Sequence, residues 1–254
     1  MRRIFGSLLL AAALLVVLPV PAAQAQDEDP GYVMIMVVDM SPSERAAYRD
    51  AVSNLAEAAA EQGVQSSWTL WSRPAGYTVV VPIPNMAWLD DDGAFWGQFD
   101  QSAREDFQSA MSSVSRQVTT EVIQPVPEWG YTPSTPAPEM TIAHVHHDYL
   151  NPGVGEAYDE LSKDWVTFLT SIDYPYESSC SRTKIGSAKI TCVTWADNMS
   201  RFTSDETFDD LVESAGAEDE FQELLDRWRG MVDHWEHFTA NFQKNMSYMP
   251  GVTD

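Results

Sequence analysis

Apolar residues recur along the chain in two patterns, short runs typical of buried strands and longer stretches with helical spacing. Strand-like runs lie at 32–38 and 140–146, and each is followed by an amphipathic helix. Both helices present an apolar residue every three or four positions, in the first Tyr48, Val52, Leu55 and Ala59 and in the second Leu161, Trp165, Phe168 and Ile172. Two more strand-like runs and a further helix follow in each half at a nearly constant offset, so the pattern predicts an internal repeat.

Each half then has the order strand, helix, strand, strand, helix, strand. This order predicts an α+β fold of two fused ferredoxin-like β-α-β-β-α-β repeats, at 30–131 and 139–250. A proline-rich segment at 132–138 is predicted to be a stiff linker between them. In the second repeat the last helix is predicted from the stripe Phe221, Leu225, Trp228, Val232, Trp235 and Phe238, and the closing strand near 242–246.

Two fused repeats of this order resemble the dimeric α+β barrel superfamily, which includes NIPSNAP-like, EthD-like and antibiotic-biosynthesis-monooxygenase-like proteins. The resemblance covers nearly the whole chain after residue 25 and rests on element order and duplication, because no catalytic motif of these families can be matched. It implies two antiparallel sheets that face each other as a pseudo-dimeric α+β barrel, with helices outside, and a monomer with an internal pseudo-dimer. The superfamily includes cofactor-independent oxidation, haem chemistry, isomerisation and binding, so the resemblance does not select a reaction.

The N-terminal segment has the features of a secretory signal peptide. Arg2 and Arg3 precede an apolar stretch at 4–20, and small residues at 23 and 25 fit a cleavage site. Residues 1–25 are therefore expected to be a signal peptide, and the protein to be periplasmic or extracellular. In an oxidising compartment Cys180 and Cys192, twelve residues apart around a predicted hairpin, are expected to form a disulfide.

The charge is strongly acidic, with 15 Lys+Arg against 38 Asp+Glu and a formal net charge of −23. Nucleic-acid binding requires cationic groups that neutralise phosphates, so this balance excludes nucleic acid as a partner. Anionic membrane surfaces are excluded for the same reason, and no later run is long enough to span a membrane. The acidic residues are expected to form a solvated surface, or alternatively a patch for a cationic ligand or metal.

Strand alternation supplies candidate cavity residues. Met34, Met36 and Val38 share one face of the first strand, and His144 and His146 occupy the matching face of its counterpart. Because the chemistry of this face differs between the two halves, we expect it to line the cavity. There the two imidazoles could act as general bases or hold a metal, or they could simply be hydrogen-bonded polar residues in a wet cavity.

Of the three other histidines, only His234 and His237 are candidates, and they are weaker ones. His147 is expected to point to the opposite face of its strand from its neighbours. His234 and His237 are predicted on the last helix, where they could be metal or haem ligands, although positions flanking the apolar stripe are the alternative.

Tryptophans concentrate in the first repeat, around its hairpin and the loop that follows. Trp68, Trp71, Trp88 and Trp96 could form the wall or mouth of a pocket for an apolar molecule, together with Met36. Packing within the core or between the repeats is the alternative.

These patterns favour a protein that binds a small apolar or aromatic molecule in the cavity between the repeats, without a cofactor. One alternative is a cavity enzyme that uses His144 and His146, either monooxygenase- or isomerase-like or dependent on haem or a divalent metal. The other is a non-catalytic protein-interaction module. The first two predict an enclosed cavity with a polar lining, and the third predicts a filled one.

Overall fold

The computed structural model of the protein describes residues 31–91, 93–135, 140–198 and 208–251. The predicted signal peptide lies outside these residues. The strands are β1 (Tyr32–Met40), β2 (Thr69–Arg73), β3 (Gly76–Ile83), β4 (Arg116–Pro125), β5 (Ile142–Leu150), β6 (Ser178–Ile185), β7 (Ile190–Ala196) and β8 (Val232–Phe242). The helices are α1 (Arg45–Gln62), α2 (Gly93–Trp96), α3 (Gln101–Ser112), α4 (Gly155–Ser171), α5 (Phe208–Ala215) and α6 (Glu218–Met231).

All neighbouring strands are antiparallel, and they close into one barrel in the order β1-β3-β2-β8-β5-β7-β6-β4. The predicted fold class, two fused ferredoxin-like repeats with separate sheets facing each other, is therefore wrong. Strand β2 pairs with β8, and β4 pairs with β6, so backbone hydrogen bonds join what were expected to be two sheets. Closure pairs backbone groups that an open sheet leaves unpaired at its edges, and this favours the single barrel.

The direction of each strand follows from the antiparallel pairing. Strands β1, β2, β5 and β6 run one way, and β3, β4, β7 and β8 run the other. We call the end of the barrel at which β1, β2, β5 and β6 terminate the upper end, and the opposite end the lower end. Residues late in β5 and early in β7 and β8 therefore lie together at the upper end.

The helices cover the outer face of the barrel in two apolar clusters. In the first, α1 buries the predicted stripe of Tyr48, Val52, Leu55 and Ala59 against outward-facing residues of β1, β2 and β3. This helix ends at Gly63, whose left-handed backbone (φ 64°) suits a residue without a side chain. In the second cluster, α4 packs with α5, α6 and the outer faces of β6 and β7. No helix in the described part of the chain is long and apolar enough to cross a membrane.

A third apolar cluster fills the lower end of the barrel interior. Its buried members are Val33, Trp71, Val80, Ile123, Met140, Ala143, Trp195 and Ala240. The indole of Trp71 lies against Trp195 and Phe242, with ring centroids 5.3 and 5.2 Å apart. The interior therefore has a packed aromatic floor.

These clusters show that the predicted assignment of strand faces is inverted. Met34, Met36 and Val38 face the helices, whereas Val33 and Ile35 face the interior. Alternation separates two faces but does not say which of them is covered by helices. The face whose chemistry differs between the two halves was expected to line the cavity. That expectation failed because helices cover the outer face of β5 only in part, so this face can carry polar residues.

The predicted last helix is too long. Helix α6 ends at Met231, and 232–242 form β8, so His234 and His237 lie on a strand and 242–246 do not form the closing strand. Apolar residues continue past Met231 at intervals of three or four, a spacing typical of an amphipathic helix. Pairing with β5 along nearly the whole strand overrides that local pattern.

The predicted disulfide is present between Cys180 on β6 and Cys192 on β7. The two residues are directly opposed in the strand register, and their Cα atoms are 4.1 Å apart. The bond links the two strands on the side that faces α4, within the second outer cluster.

Candidate functional site

The exposure of inward-facing side chains changes along the barrel. At the lower end they are almost completely buried, as at Ala143 and Trp195. In the upper half the inward residues remain partly exposed although they lie in mid-strand, namely Ile35, Val37, Val145, Val193 and Phe238. Solvent therefore reaches an apolar interior surface in the upper half, above a closed floor.

His147 lies at the upper edge of this apolar surface and points into the barrel. Its ring packs near Phe238, with centroids 5.7 Å apart, and its Nδ1 is 3.0 Å from the Thr191 hydroxyl. Burial, with smaller electrostatic contributions from Lys189 and His146, lowers the pKa of His147 to about 4, against an opposing effect of Asp148. The imidazole is therefore neutral at physiological pH.

A buried ion pair lies beside this histidine. Lys189 Nζ is 2.9 and 3.1 Å from the two carboxylate oxygens of Glu121, and both side chains are 8% exposed. The β6–β7 turn reaches this pair through Gly186, which has a φ of 119°. A Cβ at Gly186 would lie 2.8 Å from Glu121 Cγ, so the close approach requires glycine.

Tyr149 lies two residues beyond His147 on the same face of β5. Its hydroxyl donates a hydrogen bond to Glu236 at 3.4 Å, and its ring stacks on His234 with centroids 4.1 Å apart. Burial and the nearby carboxylates of Glu236 and Glu121 raise the pKa of Tyr149. The phenol therefore stays protonated and remains a hydrogen-bond donor.

Elsewhere at the upper end of the barrel, Arg73 on β2 forms a salt bridge with Asp39 on β1. The Arg73 side chain is largely buried, whereas that of Asp39 is nearly half exposed. The upper end of the interior therefore has a polar rim above apolar walls.

The two histidines predicted as catalytic do not belong to this interior. His144 and His146 lie on the outer face of β5, and the expectation that they line the cavity is wrong. The ring of His144 is 5.5 Å from that of His237, and His146 stacks on the exposed Trp235 at 5.6 Å.

His146 has a structural partner in Asp148. Its Nε2 is 2.6 Å from Asp148 Oδ1, while Oδ2 accepts hydrogen bonds from Tyr158 and Trp228. Burial alone would raise the pKa of Asp148, but the hydrogen bonds outweigh it and lower the pKa. This carboxylate joins β5 to α4 and α6, which explains why it tolerates nearly complete burial.

The predicted ligand-binding residues divide between the two sides of the barrel wall. Only Trp71 of this set faces the interior, where it forms part of the floor. Met36, Trp68 and Trp88 pack in the first outer cluster, and the Trp68 indole N–H donates to the Met246 carbonyl at 2.8 Å. Trp96 lies on α2 and is 37% exposed.

The histidines considered as metal ligands do not converge. His234 stacks on Tyr149 at the inward face of β8, whereas His237 stacks on Trp235 at the outward face of the same strand. Residues three apart on a strand point to opposite faces, so these two cannot share an ion. Among the residues that the structure describes, no group of three or more His, Cys, Asp and Glu side chains is arranged to hold a metal.

Sequence reasoning missed the residues that the structure brings together, Glu121, His147, Tyr149, Lys189 and Thr191. His147 and Tyr149 continue an alternation that begins with the small and apolar Ala143 and Val145. That change from apolar to polar along one face was the available signal for a polar end. Lys189 and Glu121 come from distant segments and gave no such signal.

Comparisons with known proteins show the fold but not a family. No protein-family model and no curated protein sequence matches the chain. A proposed monooxygenase from Lactobacillus acidophilus NCFM is similar in structure, with a TM-score of 0.54, 11% identity, and coverage of 87% of this chain and 96% of that one. An anthrone oxidase-like protein gives a TM-score of 0.56 with 12% identity, over 85% and 92% of the two chains.

A proposed monooxygenase from Fusobacterium nucleatum is similar to the same degree, with a TM-score of 0.54 and 10% identity over 85% of this chain and 94% of that one. The fold is therefore similar to that of these three proteins. At these identities the similarity concerns the fold alone, and the NIPSNAP-like form remains a prediction.

Proposed function

We propose that the protein binds a small, largely apolar molecule in the upper half of its barrel interior. The observation that carries this proposal is the partial exposure of inward apolar residues there, above a floor that is fully packed. Side chains such as Val145 and Val193 face inward from mid-strand positions and still contact solvent. Covering such a surface is favourable, at roughly 25 cal/mol per Å² of apolar area removed from water.

The arrangement of chemistry supports a binding site. Ligand sites are commonly apolar, with a few polar groups that fix orientation. Here the walls come from Ile35, Val145, Val193 and Phe238, and the polar rim begins at His147. A ligand with an apolar skeleton and one polar group would match this division.

A cavity enzyme is the second candidate. The fold shared with proteins described as monooxygenases and as anthrone oxidase-like favours it. Against it, a pKa of about 4 makes His147 a weak base, and proton abstraction is most efficient when the pKa of the base is near the working pH. Binding is therefore the better-supported function. Oxygen consumption with anthrone as substrate would establish the enzymatic candidate, and its absence would leave binding.

We also propose that the protein acts outside the cytosol. The disulfide between Cys180 and Cys192 supports this location, because such bonds persist in oxidising compartments. Mass spectrometry of the protein secreted by its host would test it, through the N-terminal residue and the oxidation state of the two cysteines. Retention of residues 1–25 in a cytosolic fraction would contradict it.

Binding can be tested by isothermal titration with 2-naphthol, a neutral aromatic alcohol. Val193→Trp would fill the upper interior, and we expect it to weaken 2-naphthol binding at least ten-fold. Val118→Trp is the matched control, because Val118 faces outward on β4 and is 48% exposed. Equal affinity in the wild type and in a folded Val193→Trp protein, verified by circular dichroism, would contradict the proposed site.

A further inference from the structure

The charges at the upper end of the interior do not cancel. Lys189 is neutralised by Glu121, and Arg73 by Asp39. Glu236 adds a further carboxylate at this end, and the partner that the described residues give it is a tyrosine hydroxyl rather than a cation. A ligand that enters the barrel here therefore meets negative charge and no uncompensated lysine or arginine among the described interior residues.

A neutral imidazole adjoins the apolar walls, because the ring of His147 lies 5.7 Å from that of Phe238. His147 uses Nδ1 for the Thr191 hydroxyl, and Thr191 itself is 9% exposed. The other ring nitrogen, Nε2, has no partner within the described chain. A neutral imidazole offers either one N–H or one lone pair at this position, so it can hydrogen-bond an alcohol or a carbonyl without adding charge.

Anionic ligands are disfavoured by two effects at the same place. A carboxylate or phosphate would lose its hydration in a partly buried site, a large cost unless a cation compensates it. It would also approach the carboxylate of Glu236, whose charge no lysine or arginine among the described residues offsets, and like charges repel.

We infer that the site selects neutral molecules, namely apolar or aromatic skeletons carrying an alcohol or carbonyl group, and rejects their carboxylate counterparts. The alcohol or carbonyl hydrogen-bonds Nε2 of His147, and the skeleton lies against Val145, Val193 and Phe238. This inference rests on the proposed function and adds the chemical class of its ligand.

The test compares 2-naphthol with 2-naphthoate, which share one ring system and differ in the polar group, by isothermal titration at pH 7. We expect 2-naphthol to bind at least ten-fold more tightly. Equal affinities, or tighter binding of 2-naphthoate, would overturn the selectivity while leaving the proposed site in place. If neither compound binds, the proposed function is contradicted, and the inference fails with it.

Two variants and one control test the residues named. His147→Phe keeps an aromatic ring but removes Nε2, and we expect it to weaken 2-naphthol binding about ten-fold, whereas His144→Phe on the outer face of the same strand should leave it unchanged. Glu236→Gln, at an exposed position, should reduce the difference in affinity between 2-naphthol and 2-naphthoate by strengthening 2-naphthoate binding. An unchanged 2-naphthol affinity in His147→Phe would overturn the role of His147. An unchanged difference in affinity between the two ligands in Glu236→Gln would overturn the role of the carboxylate.

Discussion

Replacing Glu177 with glutamine should make the protein more stable at alkaline pH and change its pH dependence. Glu177 immediately precedes β6, where its backbone carbonyl accepts a hydrogen bond from the Trp195 N–H at 2.8 Å. The residue is 5% exposed, and Oε2 of its carboxyl group has no partner among the described residues. Burial raises its pKa to about 7.

The size of the effect follows from proton linkage. The folded protein holds the proton of Glu177 up to about pH 7, whereas the unfolded chain releases it near 4.5. Between these values the folded state binds more protons, so stability falls as the pH rises through this window and stays lower above it. At about 1.4 kcal/mol per pKa unit, ionised Glu177 costs up to about 3 kcal/mol above pH 7.

Urea denaturation of the wild type and of Glu177→Gln at pH 4 and pH 8.5 measures this cost. Any free-energy cost of burying the glutamine amide is the same at both pH values. The difference between the stability changes at the two pH values therefore isolates the ionisation of Glu177. We expect the variant to gain up to about 3 kcal/mol relative to the wild type between pH 4 and pH 8.5. Glu57→Gln on the exposed side of α1 is the control and should show no such change. An equal pH dependence of stability in the wild type and Glu177→Gln would contradict a buried, protonated Glu177.

Three further variants test the packing around the site. Asp148→Ala removes the acceptor of three hydrogen bonds, and urea denaturation should show a loss of about 3 kcal/mol; a loss below about 1 kcal/mol would show that the carboxylate does not hold the helices to β5. Replacing Cys180 and Cys192 with serine should lower the unfolding free energy by about 2–3 kcal/mol, and unchanged stability of the double variant under non-reducing conditions would contradict this. Gly186→Ala should cost about 1–3 kcal/mol, because the new Cβ meets Glu121 and φ is positive; a thermal melt identical to that of the wild type would argue against the close approach.

Local patterns predicted the elements that tertiary pairing does not disturb. The apolar stripe of α1, the residues of β1 and the opposed cysteines could be read from spacing, because each depends on neighbours close in the chain. Where a strand competed with a helix, spacing failed. At 232–242 the residues suit a helical period, and only the presence of β5 makes them a strand.

The site was harder to predict because it depends on which face of each strand turns inward. Alternation placed His144 and His146 together and His147 apart from them, which is correct. Choosing between the two faces required the position of the helices, and the choice made was the wrong one. Lys189 and Glu121 come into contact because β4 pairs with β6, so the local sequence of either segment does not predict the ion pair.

Nuclear Overhauser effects between 2-naphthol and valine methyl groups show directly whether a ligand occupies the upper half of the barrel interior. Val145 and Val193 face this interior, whereas Val118 faces outward from β4. We expect cross-peaks from the naphthol ring protons to the methyl groups of Val145 and Val193, and none to Val118. Cross-peaks confined to Val118 or to other outward-facing methyl groups would contradict this expectation.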